Sequence, residues 1–241
     1  MASVMLDERP ELETDHPCFG CAVRQLSICG VLGSEELRVF RQGGTTVRHK
    51  AGATIFFEGD PADSVYTLTS GTLRLSKLLP DGRRQIAGFI FPGDFLGLTM
   101  EDEHAFTAEA ITESELCRFP RRRFDRFLEE HPHMERRLYT LAAHELSAAR
   151  QQVVLLGRKT AAERVISFIL MLGSRCRREG GFAEEVNLPM SRCDIGDYLG
   201  LRIETVSREL SALKAERLIT LVDTHTIRLL DPEELEARAE G

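Results

Sequence analysis

The sequence predicts an α+β chain: an N-terminal β-roll of the jelly-roll kind, a long connecting helix and a C-terminal winged helix-turn-helix. Three observations carry this prediction. Between about residues 45 and 120, short apolar runs alternate in period two and are cut by glycine-containing turns. From "RRRFDRFLEEHPHM" onward the apolar period becomes helical. Further on, "CDIGDYLG" and "IETVSRELSALKAERL" read as two helices joined at a tight glycine turn, and two strand-like runs follow.

In chain order, residues 1–34 form an arm that bears Cys18, Cys21 and Cys29. Residues 35–130 make the roll, with "ATIFFEGD", "SVYTLTSGTLRLSKL", "RQIAGFIFPGD" and "ELCRFP" as its strand-like runs. Leu73 and Leu75 alternate with Arg74 and Ser76, the pattern of a half-buried strand. Asp81-Gly82 between two such runs is a hairpin signal. Residues 131–157 are a long helix, with Pro132 suited to its first turn. Residues 158–230 are the winged helix-turn-helix, with "LITLV" and "TIRLL" as the wing. Residues 231–241 close the chain as an acidic tail.

A length of 241 residues suits two domains with a core each. Hydrophobic content of 42% and charged content of 29%, without an unbroken apolar run of about 18 residues, predict a globular protein with no membrane span. The acidic N-terminus lacks the basic and apolar regions of a secretory signal, so the expected location is the cytoplasm, where stable disulfides are disfavoured. A net charge of -7 argues against non-specific coating of nucleic acid. Residues 158–230 nevertheless hold 12 Lys and Arg against 10 Asp and Glu, which leaves a local DNA-binding surface open.

Cys18, Cys21 and Cys29 follow a C-x2-C-x7-C spacing. In a reducing compartment, thiols this close point to a metal or redox site, and three of them raise the question of a fourth ligand. Iron-sulfur ligation, a four-cysteine zinc site and a thiol-disulfide switch on Cys18-x-x-Cys21 all suit the residue type. Cys176 and Cys193 fall in helices of the C-terminal half and are expected to be packed thiols.

Glu204, Ser207 and Arg208 stand at i, i+3 and i+4 near the start of the second helix, so they share one face. Arg can donate twice to guanine, Glu can accept from cytosine N4, and Ser can contact either base of a pair. On an arbitrary helix the same residues would be a solvated face with a Glu204–Arg208 ion pair. The preceding helix and glycine turn favour a recognition helix instead.

These residues carry a resemblance. From the roll through the long helix to the winged helix, the chain resembles the Crp-Fnr superfamily of bacterial transcription regulators, most specifically in "CDIGDYLGLRIETVSREL". The cyclic-AMP receptor branch carries R-E-x-x-G-R in this helix, and the fumarate and nitrate reduction (Fnr) branch carries E-x-x-S-R. Ile203-Glu204 and Ser207-Arg208 look like the Fnr branch. The resemblance implies a cyclic-nucleotide-binding-like roll and a TTGAT half-site, with Ser207, Glu204 and Arg208 reading its T, C·G and G positions. It also implies an oxygen-labile [4Fe-4S] cofactor held by Cys18, Cys21, Cys29 and, through "ELCRFPRRRF", Cys117 as fourth ligand. The x7 interval departs from the x5 of the best-known members and matches a longer-spaced variant. A homodimer on near-palindromic double-stranded DNA and RNA polymerase as partner follow from the same resemblance, with the Asp81-Gly82 hairpin a candidate polymerase contact.

The dimer expectation also has a basis in spacing. Ala142, Leu146, Ala149, Val153 and Leu156 form a narrow apolar stripe on the long helix, suited to a coiled-coil contact or to packing on the chain's own roll. Well-studied members of the superfamily carry an acidic residue where Ala149 stands. A cyclic nucleotide is not expected, because no arginine occurs between Arg84 and Arg118 and a ring phosphate would meet Glu101, Asp102 and Glu103. A cupin-like metalloenzyme is disfavoured by His104 being the only histidine between His49 and His131. No catalytic residues are expected.

Overall fold

The computed structural model describes residues 18, 20–99, 101–178 and 185–240, so the first half of the expected arm, residues 1–17, lies outside the described residues. The chain divides into two compact units, one of residues up to Leu75 with Phe89–His144, the other of Ser76–Gly88 with Glu145 onward. The hairpin segment 76–88 thus packs with the C-terminal half, a division that contiguous sequence domains did not anticipate.

The first unit opens with turns over 20–27, a 3-10 turn at Ile28–Val31 and helix α1 (Ser34–Gln42), which the sequence reading missed. Glu36 reaches back to the Gly33 amide at 2.9 Å to cap α1, while Leu37 and Phe40 enter the core. Strands β1 (Thr45–His49), β2 (Thr54–Phe56), β3 (Ser64–Ser70), β4 (Leu73–Leu78), β5 (Arg84–Ile90), β6 (Phe95–Leu96), β7 (Thr107–Ala110) and β8 (Ser114–Pro120) follow. They form two antiparallel sheets in the orders β1-β8-β3-β6 and β2-β7-β4-β5.

The alternation read from the sequence decides what each sheet buries. Tyr66, Leu68 and Leu116 face the roll interior with Phe56, Leu73 and Ile90. Val65 and Phe119 face the other way, into a second core. That core is closed by Ile28 and Leu32 of the arm, Leu37 and Phe40 of α1, Phe124 and Phe127 of α2 (Arg121–Glu130) and Met134 of α3 (Pro132–Arg158). The helix expected over 131–157 begins one residue later, at a proline, after α2 ends at Glu130 with His131 as its C-cap.

The second unit contains α4 (Ala161–Arg178), β9 (Glu185–Asn187), α5 (Arg192–Leu199), α6 (Ile203–Ala215), β10 (Ile219–Leu221), β11 (Thr226–Leu229) and α7 (Pro232–Glu240). Thr160 and Glu163 exchange a capping box at the start of α4. The wing has three strands in the order β10-β11-β9, one more than the sequence suggested. The acidic tail is α7, started by an Asp231 side chain that accepts from the Glu234 amide. It buries Leu235 and Ala239, and the Lys159 ammonium donates to the Ala239 carbonyl at 2.6 Å. Its charge is confined to the outer face of an amphipathic helix, so it is a docked element and not a free tail.

Candidate functional site

In the second unit, α5 and α6 form the expected helix-turn-helix. Ser191 and Asp194 cap α5 reciprocally, with Ser191 Oγ accepting from the Asp194 amide at 3.0 Å and the Asp194 carboxylate accepting from the Ser191 amide at 3.1 Å. Gly200 ends the helix in the left-handed region at φ 64°, and the turn then lies so close to Gly196 that a Cβ there would stand 2.6 Å from the Leu201 carbonyl oxygen. The Arg164 guanidinium donates to the Leu156, Lys159 and Leu199 carbonyls, tying the turn to α4. From the hairpin, Arg84 reaches Asp194 at 2.7 Å and Asp197 at 2.8 Å.

Helix α6 buries Val206, Leu210 and Leu213 and leaves Glu204, Ser207 and Arg208 exposed on the opposite side. Arg208 turns to Glu209 at 3.2 Å and not to Glu204, so the ion pair that would make this an ordinary solvated face does not form. Three side chains able to contact base edges project from the N-terminal part of a helix held by a buried seam.

In the first unit, the arm brings its thiols against a strand remote in sequence. Successive turns run from Cys18 to Leu32: the Cys21 amide donates to the Cys18 carbonyl, Ser27 caps the turn that contains Cys29, and the Leu32 amide donates to the Cys29 carbonyl. Arg24 closes this loop on the Leu32 carbonyl at 3.1 Å, and Arg137 of α3 ties down the Leu26 carbonyl at 2.9 Å. Cys18, Cys29 and Cys117 all pack against the same core of Ile28, Leu32, Val65 and Phe119. On that face Cys117 of β8 lies between Thr46 of β1 and Thr67 of β3.

Burial dominates the acidity of these thiols. It pushes Cys29 up to about 12, opposed by a hydrogen bond to Ser27 and reinforced by the charges of Cys117, Cys18 and Cys21. Cys117 is pushed up to about 11 by burial, against the opposing charge of Arg41. Cys18 is raised for the same first reason and is likewise opposed by Arg41. The four sulfurs are thus within electrostatic reach of one another, and the Cys18, Cys29 and Cys117 thiols stay protonated at neutral pH unless a metal displaces the protons.

Among the described residues, no three Cys, His, Asp or Glu side chains stand close enough to hold a single metal ion. A closed zinc tetrahedron with Zn–S of about 2.3 Å keeps its sulfurs about 3.8 Å apart. Cys18, Cys29 and Cys117 share one face, and with Cys21 they make up the four-thiol donor set that a four-iron cube, anchored at four separate corners, would take.

The other expected residues divide. Ala142, Leu146, Ala149 and Val153 are exposed, and Leu156 is half-buried. Cys193 is exposed, contrary to the expected packed thiol, because it lies on the outer side of α5. Cys176 is on α4, and its side chain lies outside the described residues. Glu101, Asp102 and Glu103 are exposed carboxylates, and His104 is buried with its ring stacked on Phe56 at 3.6 Å. Sequence reasoning missed Arg41, Thr46, Thr67 and the Arg84–Asp194 pair, since only strand register and tertiary packing place them.

A two-helix motif with a wing, and with exposed side chains able to contact base edges, is the architecture of a DNA-binding transcription regulator. Residues 46–131 match the cyclic nucleotide-binding domain model, and residues 163–238 match the Crp-like helix-turn-helix domain model. The chain belongs to the Crp-Fnr family of transcription regulators. It is 46% identical to the nitrogen fixation regulation protein FixK of Bradyrhizobium diazoefficiens, over 93% of this chain and 94% of that protein. It is 36% identical to the transcriptional activator protein FnrL of Cereibacter sphaeroides, over 86% of this chain and 85% of that protein. The structure of FixK2 from Bradyrhizobium japonicum superposes with a TM-score of 0.75 at 38% identity, covering 80% of this chain and 96% of that one. No helix among the described residues is long and apolar enough to cross a membrane.

Proposed function

We propose that this regulator is an oxygen-responsive activator whose DNA binding is controlled by a [4Fe-4S] cluster on Cys18, Cys21, Cys29 and Cys117. One observation carries the reading: the fold turns Cys117 of β8 onto the face where Cys18 and Cys29 pack. When bound, such a cluster supplies an oxygen-labile centre. The chain's own part is to hold the arm in register, through Ser27, Arg24 and Arg137, and to keep water from the sulfurs with the core behind them.

The regulator acts in the cytoplasm as a homodimer through Ala142, Leu146, Ala149, Val153 and Leu156. Exposure of Leu146 at 53% and Val153 at 71% in the single chain supports that contact. The dimer sets two copies of Glu204, Ser207 and Arg208 on a TTGAT-type palindrome and presents surface loops, the Asp81-Gly82 hairpin among them, to RNA polymerase. It binds no cyclic nucleotide, since Glu101, Asp102 and Glu103 offer an anion no counter-charge.

The test is iron and sulfide analysis of protein purified without oxygen, alongside DNA binding. Brown protein that bleaches in air, and single Cys18→Ala, Cys21→Ala, Cys29→Ala and Cys117→Ala variants without iron, support the reading. Colourless protein with stoichiometric zinc, or full iron content in Cys117→Ala, overturns it.

A further inference from the structure

The face that carries Cys117 also carries hydrogen-bond donors with nothing to donate to. Among the described residues, the buried side-chain atoms without a partner are Arg24 Nε, Arg41 Nη1, Thr67 Oγ1, Arg137 Nε and Arg192 Nη1. Three of these belong to residues around the thiols. Arg24 lies between Cys21 and Cys29 in the arm, Arg41 acts electrostatically on both Cys18 and Cys117, and Thr67 stands opposite Cys117 in the ladder. An unmade buried hydrogen bond costs about 1–3 kcal/mol, and native proteins hold few of them. Their concentration at one place points to a missing acceptor.

The Thr67 hydroxyl is the sharpest case. Thr67 is 2% exposed, and directly opposed residues of an antiparallel pair share a face. On that face its ladder neighbours are Cys117 in β8 and Phe95 in β6, and Phe119 and Val65 line the same core. Valine would fill the same volume without a polar atom, so the core does not require a hydroxyl. A neutral thiol is a weak acceptor, whereas a metal-bound thiolate or an inorganic sulfide is an anionic one. Arg41 is prepared in the same way. Its Nη2 is anchored on the Thr46 hydroxyl, Thr46 flanks Cys117 on the other side, and Nη1 is left over.

We propose that Thr67 Oγ1 and Arg41 Nη1 donate hydrogen bonds to the sulfurs of an anionic iron-sulfur group held by Cys18, Cys21, Cys29 and Cys117, and thereby raise its reduction potential. The inference rests on the cluster reading above. Donors aimed at sulfur stabilise the more negative, reduced state, so removing them lowers the potential. Both are positioning residues, since neither ligates iron.

The experiment uses the full chain prepared without oxygen, with iron and sulfide measured first and the one-electron midpoint potential measured by mediated spectroelectrochemistry. Thr67→Val and Arg41→Gln each load a cluster whose potential is more negative. The expected shift is about a tenfold change in the oxidised-to-reduced ratio at fixed potential, ~59 mV for one electron. Thr67→Ser, which keeps the hydroxyl, stays near wild type. In metal-free protein, Thr67→Val leaves the urea midpoint unchanged or higher, because it removes an orphan. Wild-type protein that takes up no iron and sulfide overturns both this inference and the cluster reading. Wild type that loads, with Thr67→Val and Arg41→Gln at the wild-type potential, overturns this inference alone. A lower urea midpoint for metal-free Thr67→Val overturns it too, by showing that the hydroxyl has a partner without the cluster.

Discussion

The winged-helix unit and the thiol face of the first unit differ in how their polar groups are finished. In the former, a buried carboxylate such as Asp194 is used completely: one oxygen takes the Ser191 amide and hydroxyl, and the other takes Arg84. Arg164 spends its guanidinium on three carbonyls. Around Cys117, by contrast, Thr67 and Arg41 keep donors unspent. The first region leaves one such atom, Arg192 Nη1 of α5, without a partner among the described residues, and the second, with Arg24, Arg41 and Thr67, has the chemistry of a place that is completed by something the chain binds.

The largest expected effect tests the winged-helix side. Asp194→Ala removes the α5 cap and strands part of Arg84, which still holds Asp197, so it costs about 2–3 kcal/mol of stability in the winged-helix unit. Urea unfolding of the full chain measures it, and a loss below about 0.5 kcal/mol would show the network to be dispensable. The metal-free Thr67→Val variant, losing nothing, is the matching control on the incomplete side.

Next is the reading head itself. Arg208→Ala is expected to cost about 1–3 kcal/mol on a TTGAT palindrome and to relax preference at the guanine position, with iron content unchanged. Equal weakening on all sequences would reduce Arg208 to a phosphate contact. The helix stripe gives a smaller effect. Ala149→Asp places a carboxylate in an exposed apolar seam opposite its symmetry mate, and about a tenfold weaker self-association, ~1.4 kcal/mol, is expected of metal-free protein in analytical ultracentrifugation. A metal-free wild type wholly monomeric at tens of micromolar, or an unchanged variant, would remove the stripe from the interface.

The smallest effect belongs to His104, inside the first unit but away from the thiols. Burial lowers its pKa below the ordinary 6.5, against the pull of Asp60, so the folded state disfavours the protonated ring. The unfolded chain then binds the extra proton more readily. Stability from this group is complete above the ordinary value and declines as pH falls through it toward the lowered one. Thermal midpoints between about pH 7.5 and about pH 5.5 should fall in wild type and fall less in His104→Gln.

Much of this protein was determined by local sequence. Period-two alternation and turn glycines specified the roll, because a half-buried strand needs one apolar face. The α5–α6 motif was legible because Ser191, Gly196, Gly200 and the seam Val206, Leu210 and Leu213 each meet a local requirement of capping, close approach or periodicity. Cys18, Cys21 and Cys29 were visible by their spacing, and Cys117 only through resemblance. The tertiary structure alone decided which residues surround them. Thr46 and Thr67 flank Cys117 because of strand register, which is set by non-local pairing, and Arg84 meets Asp194 across more than a hundred residues because the hairpin folds with the winged helix. The docking of the acidic C-terminus was not legible for the same reason: composition reports the charge of α7, whereas its docking depends on Leu235 and Ala239 finding α4. Local signals record what each segment can become, and the partners of a side chain are fixed only when distant segments close upon one another.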